Sequence, residues 1–152
     1  MKRCHAMGIF LLSAIFAALP LLAQGTTPLG FARDPHYSAG RVVFSFRGNI
    51  WQVNEDGSNP RQLTRMDARD IKPRFSPDGQ SIAFTSSRGG NPDVYIMPAV
   101  SGEPKRLTWH SGNDEVQYWT PDGKRILFSS ARGPMAWDSP LYTVGIDGDL
   151  PI

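Results

Sequence analysis

Apolar residues in this chain come in short runs set between turn-forming residues. Ile82 to Thr85 is an apolar, β-prone run, Asp93 to Met97 alternates toward a further strand, and Lys105 to Trp109 makes another. Between them stand Pro77-Asp78-Gly79, Arg88-Gly89-Gly90-Asn91-Pro92 and Ser101-Gly102. Short runs bounded by Gly, Pro, Asn and Asp predict strands joined by tight turns. With Lys72-Pro73-Arg74-Phe75 extended ahead of the first turn, the stretch predicts four consecutive strands. In Pro77-Asp78-Gly79, proline presets its own φ, aspartate caps the turn and glycine takes a positive φ. Valine at Gly79 or Gly123 is therefore expected to cost about 1–3 kcal/mol through backbone strain, with the two effects adding.

The pattern repeats. Phe75-Ser76-Pro77-Asp78-Gly79 returns as Trp119-Thr120-Pro121-Asp122-Gly123, a shift of 44, and the same shift carries Ser81-Ile82-Ala83-Phe84 onto Arg125-Ile126-Leu127-Phe128, Arg88-Gly89 onto Arg132-Gly133, and Leu63-Thr64 onto Leu107-Thr108. A degenerate third copy lies upstream, with Tyr37-Ser38-Ala39-Gly40 for the turn, Arg41-Val42-Val43-Phe44 for the apolar run and Arg47-Gly48 for the next turn. Ile50-Trp51, Val94-Tyr95 and Leu141-Tyr142 then fall in register. A period near 44 residues matches a four-stranded propeller blade. The expectation is an all-β chain, a β-propeller of four-stranded blades at about 29–70, 71–114 and 115–152. The many turns, with 15 Gly and 13 Pro, exclude a helical bundle. Three blades fall short of the usual four to eight of a closed ring. The chain is therefore expected to be the N-terminal portion of a longer propeller, whose remaining blades would cover its open edges.

The first residues predict something other than blade. Lys2 and Arg3 precede an apolar run from Met7 to Leu22, and Leu21-Leu22-Ala23 offers a cleavage site before Gln24, the organisation of a secretory signal peptide over residues 1–23. The run is short for a membrane span and Pro20 interrupts it, so no stable membrane insertion is expected after cleavage. Cys4 is the only cysteine and leaves with the leader, so the exported chain must be stabilised by packing alone. Charge follows the same cut. Of 16 Lys and Arg, Lys2 and Arg3 lie in the leader, and the rest balance the 14 Asp and Glu. The basic run from Arg61 to Arg74 has Asp67 and Asp70 set into it and reads as a solvated blade edge, which excludes a nucleic-acid stripe.

The succession Arg47-Gly48-Asn49-Ile50-Trp51, Phe75 to Gly79, Gly90-Asn91-Pro92-Asp93-Val94-Tyr95, Glu103-Pro104-Lys105-Arg106-Leu107-Thr108 and Trp119 to Gly123 closely resembles the first propeller of bacterial tricorn-type serine proteases, over about residues 29–152. The resemblance implies a six-bladed ring that filters or guides peptides, ahead of a second propeller, a PDZ domain and a peptidase core. The family's nucleophile lies downstream of every position present, so no catalytic residue carries over. The repeat is also similar to the propeller of TolB, a periplasmic scaffold of the cell envelope. In that family a mixed α/β domain separates leader from blades, whereas Gln24 to Ala32 is the spacer here, which favours the tricorn-like reading. Both imply an exported, periplasmic location and a peptide or protein as partner.

Candidate chemistry is sparse. His36-Tyr37-Ser38-Ala39-Gly40 looks like a nucleophile elbow, but such an elbow needs a strand–turn–helix setting. His110-Ser111 places a base beside a hydroxyl with nothing to orient the imidazole. His36 and His110 without a cysteine are too few for a zinc site, and the lone Asp-Gly pairs at 56, 78, 122 and 147 read as turns rather than calcium loops. No catalytic, metal or cofactor-binding residue is expected. Trp51, Trp109 and Trp119 are expected to pack within blades, whereas Trp137, in the longer loop Gly133 to Pro140, is the candidate for partner contact.

Overall fold

The computed structural model describes residues 31–65, 67–133 and 139–152. The proposed leader and Trp137 lie outside the described residues. Within them the chain is all-β, with no helix, and its strands form three antiparallel sheets in chain order. The first contains β1 (Arg33–Ser38), β2 (Arg41–Phe46), β3 (Asn49–Asn54) and β4 (Arg61–Gln62). The second contains β5 (Asp70–Phe75), β6 (Ser81–Ser86), β7 (Asp93–Pro98) and β8 (Lys105–Arg106). The third contains β9 (Asp114–Trp119), β10 (Arg125–Ser130) and β11 (Leu141–Gly145). The architecture is an open run of about three propeller blades.

The fourth strand is shorter than its apolar run suggests, because a side chain takes over the ladder. Leu63 and Leu107 still donate their N–H groups to Ile50 O and Val94 O at 2.8 Å. The next residue then accepts the return bond on its hydroxyl: Ile50 N–H donates to Thr64 Oγ1 at 2.9 Å and Val94 N–H to Thr108 Oγ1 at 3.0 Å. The Leu-Thr repeat is thus a strand end. In the third sheet Thr143 and Ile152 exchange two backbone bonds of 2.8 and 3.0 Å.

Each first strand carries one extra residue against its neighbour, at 33–36, 71–74 and 116–118. Bulges of this kind raise local twist, and they tolerate Pro35 and Pro73, which have no N–H for a ladder. The twisted first strands meet from sheet to sheet. Phe75 N–H donates to His36 Nδ1 at 3.1 Å, Arg74 Nε to Gln117 O at 3.0 Å, and Trp119 Nε1 to Arg74 O at 2.9 Å. On the turn side, Arg41 reaches Gly79 O at 2.7 Å, Arg61 reaches Val100 O, and Lys105 reaches Asp147 O at 3.0 Å.

Two apolar layers fill the clefts between sheets. Val43, Ile50, Phe75, Ile82, Phe84, Tyr95 and Met97 lie between the first and second, and Ala83, Val94, Leu107, Val116, Ile126, Phe128 and Val144 between the second and third. The second sheet is covered on both faces, which explains why β6 reads as a continuous run rather than an alternating one. Burial of Phe84 and Phe128, both fully inaccessible, contributes roughly 1.5–3 kcal/mol each.

Candidate functional site

The loops gather at two edges. One edge holds the β1–β2, β5–β6 and β9–β10 turns, and the other holds the heads of β5, β7 and β9 with the β2–β3 and β6–β7 connections. At the first, Gly79 and Gly123 adopt φ of +69° and +68°. Asp78 accepts from Ser76 Oγ at 2.6 Å and Asp122 from Thr120 Oγ1 at 2.6 Å, and these hydroxyls together with the N–H groups of Gln80 and Lys124 hold both carboxyls below the usual carboxylate range. In each turn Oδ1 accepts both of these bonds, as in a structural aspartate.

The second edge is built on buried aspartates that the sequence did not single out. Asp70, Asp93 and Asp114 are fully inaccessible and pair with Arg88 at 2.8 Å, Arg106 at 2.5 Å and Arg132 at 2.6 Å. Ser130 Oγ donates to Asp114 Oδ1 at 2.5 Å, and Thr108 Oγ1 to Asp93 Oδ1 at 3.1 Å. Asp70 Oδ1 has no such partner among the described residues. Burial raises the Asp93 carboxyl even against the pull of Arg106. The arginines also lie over aromatic pairs: Arg88 sits 5.4 and 5.1 Å from the Phe84 and Tyr95 ring centres, and Arg132 sits 5.4 and 5.0 Å from Phe128 and Tyr142. Carboxylate, hydroxyl and ring face together use these guanidinium groups as struts. The first sheet lacks the device. Its Arg47 lies 5.4 Å over Phe46, and β1 opens on Arg33 where β5 and β9 open on aspartate.

In the look-alike catalytic pairs each histidine Nδ1 accepts a backbone N–H. His36 lies in β1 with Nδ1 occupied by the Phe75 N–H, and burial together with the charge of Arg74 holds its imidazole below the ordinary value of 6.5. Ser38 Oγ instead neighbours Gly79. His110 lies in a loop, and its Nδ1 accepts the Gly112 N–H at 2.9 Å. Among the described residues no three His, Cys, Asp or Glu side chains converge as metal ligands do. Trp51 and Trp119 are partly buried, Trp119 against the second apolar layer. Trp109 departs from the expectation of blade packing. It is 64% exposed, because the ladder has already ended at Thr108 and its ring is free to leave the sheet. It stands over a cavity of about 250 Å³ with Leu150 and Pro151 on its wall.

Comparison with known proteins places these features in a wider set. The family model described as the tricorn protease N-terminal beta propeller domain matches residues 29–152. A TolB homolog of Chlorobium luteolum is 40% identical over 79 residues, covering 49% of this chain and 18% of its own length. Tricorn protease homolog 1 of Streptomyces coelicolor is 35% identical over 72 residues, 47% of this chain and 7% of that protein. Among solved structures, the crystal structure of the tricorn protease superposes with a TM-score of 0.68 at 26% identity, over 78% of this chain and 12% of that one. The chain thus spans less than a fifth of each of these relatives.

Proposed function

The chain belongs to the tricorn protease N-terminal β-propeller family, and on that premise we propose that it is the peptide-admitting or protein-binding propeller segment of an exported tricorn-like serine peptidase. The observation that carries this is the family match over essentially every described blade residue. Two observations support the reading: Nδ1 of His36 and of His110 each accept a backbone N–H, and a cleft of about 310 Å³ opens between the first two sheets. Export is proposed on Lys2-Arg3 and the apolar run that follows, with the leader removed after Ala23 and the propeller working in the periplasm.

A second reading, a TolB-like envelope scaffold, is favoured by the 40% identity with the Chlorobium protein. The two differ in what they bind. The peptide-admitting module takes extended peptides, and the scaffold takes a folded envelope protein. Titrating the purified chain with fluorescent unstructured peptides of about ten residues, and in parallel with the soluble domain of a Pal protein of the Tol-Pal system, separates them. Peptide binding without Pal binding supports the first reading. Binding to Pal alone overturns it.

A further inference from the structure

The first cleft presents arginines that no carboxylate among the described residues engages. Arg88, Arg106 and Arg132 are spent on buried aspartates. Arg33, Arg47, Arg65 and Arg69 are exposed, and none has a carboxylate partner among the described residues. Within the Arg61–Arg74 run, read from its sequence as a solvated blade edge, Arg61, Arg65, Asp67 and Arg69 are exposed while Asp70 is turned inside onto Arg88. Three of the four line one cavity of about 310 Å³: Arg33 from the head of β1, Arg47 from the β2–β3 turn and Arg69 from just before β5, with the rings and methyls of Phe31 and Ile71 beside them. Phe31 is 74% exposed. A second cavity of about 400 Å³ carries Arg65 on its wall, with Asp67 the acidic residue there. Asp34, on β1, has its Oδ2 facing Ser45 Oγ at 3.3 Å.

We propose that this basic pocket, between the heads of the first and second sheets and beside the first strands where the sheets converge, binds acidic peptide segments. A carboxylate would lie against the forks of Arg33, Arg47 and Arg69, and a neighbouring apolar side chain against Phe31 and Ile71. Guanidinium groups donate two parallel bonds to a planar carboxylate, and an exposed aromatic beside them adds an apolar subsite that a free anion would not need. The first sheet's loss of the aspartate strut is what frees Arg47 for this role. The inference rests on the reading of the chain as a peptide-binding module and adds the class of peptide.

The test is fluorescence anisotropy on the full chain with three fluorescein-labelled probes: an octapeptide of alternating Glu and Leu, its Lys–Leu counterpart, and a ten-residue oligothymidylate. The Glu–Leu peptide should bind at least tenfold more tightly than the Lys–Leu peptide and more tightly than the oligonucleotide. Its affinity should fall at least tenfold in Arg47→Glu and Arg69→Glu, and steeply with salt. Lys124→Glu, on the opposite edge, should leave it unchanged. Far-UV circular dichroism of each variant shows that the fold survives. If both peptides bind alike, or Arg69→Glu binds as well as the parent, the acidic-peptide site is wrong while peptide binding stands. If the oligonucleotide binds most tightly, the ligand class is wrong. If no peptide binds, the peptide-module reading fails with it.

Discussion

Gly79 and Gly123 occupy equivalent turns with φ of +69° and +68°, so alanine at either meets the same backbone strain, about 1–2 kcal/mol. Their surroundings differ. A Cβ on Gly123 would first meet Pro77 Cδ at 3.6 Å, an ordinary contact, whereas a Cβ on Gly79 would meet Arg41 Nη2 and Ser38 Oγ at 3.0 Å. Arg41 Nη2 is the donor that ties the first sheet to Gly79 O at 2.7 Å, so it cannot retreat without loosening that bond. A hydrogen bond from a charged donor contributes roughly 1.5–3 kcal/mol, and partial exposure here brings the loss toward about 1. Gly123→Ala should therefore cost about 1–2 kcal/mol and Gly79→Ala about 2–3. Urea unfolding of the full chain, followed by tryptophan fluorescence and far-UV circular dichroism, measures both. In an Arg41→Ala background the Gly79→Ala penalty should fall toward that of Gly123→Ala, with the Ser38 Oγ contact at 3.0 Å accounting for what is left. Equal penalties in the parent, or a larger one at Gly123, would refute the role given to Arg41. The expectation that valines at the two turns add is corrected by the same geometry: Pro77 of one turn faces Gly123 of the other, and residues in contact couple.

Two further perturbations test the joints between sheets and the buried struts. Because the folded chain holds His36 below 6.5, it favours the neutral ring. Stability should be whole well above that value and fall as pH drops through and below about 6.5, with the slope of urea midpoint against pH flattened in His36→Asn; an undiminished slope in the variant would place the titration elsewhere. Asp114→Ala strands Arg132 and Ser130 and should cost about 3–5 kcal/mol. Asp70→Ala, which removes a carboxylate with one unpartnered oxygen, should cost roughly 1 kcal/mol less, an order that chemical denaturation of the two variants checks.

What the sequence made legible was whatever recurs at a fixed spacing. The shift of 44 located Phe84 with Phe128 and Gly79 with Gly123, and the structure puts each pair at equivalent places. The spacing slips where a loop lengthens: Tyr95 and Tyr142 face Phe84 and Phe128 in the same register, yet lie 47 apart because the β10–β11 connection is longer. Contacts between sheets were not legible, since they join residues about 40 apart that carry no shared motif, as with His36 and Phe75. Nor was the burial of Asp70, Asp93 and Asp114. The signal was available in the repeat of Asp70, Ser86 and Arg88 as Asp114, Ser130 and Arg132, but a charged residue in a basic run reads as surface until its partner is known. Trp109 misled for the opposite reason: an aromatic after a strand reads as core, and here the strand had ended.

The function proposed above has this propeller segment hold peptides without cutting them. Mass spectrometry of a labelled peptide recovered from the protein after gel filtration tests it most directly. The account predicts peptide co-eluting with the chain at its intact mass after prolonged incubation. Fragments that appear with the parent and vanish with Ser38→Ala or Ser111→Ala would contradict it.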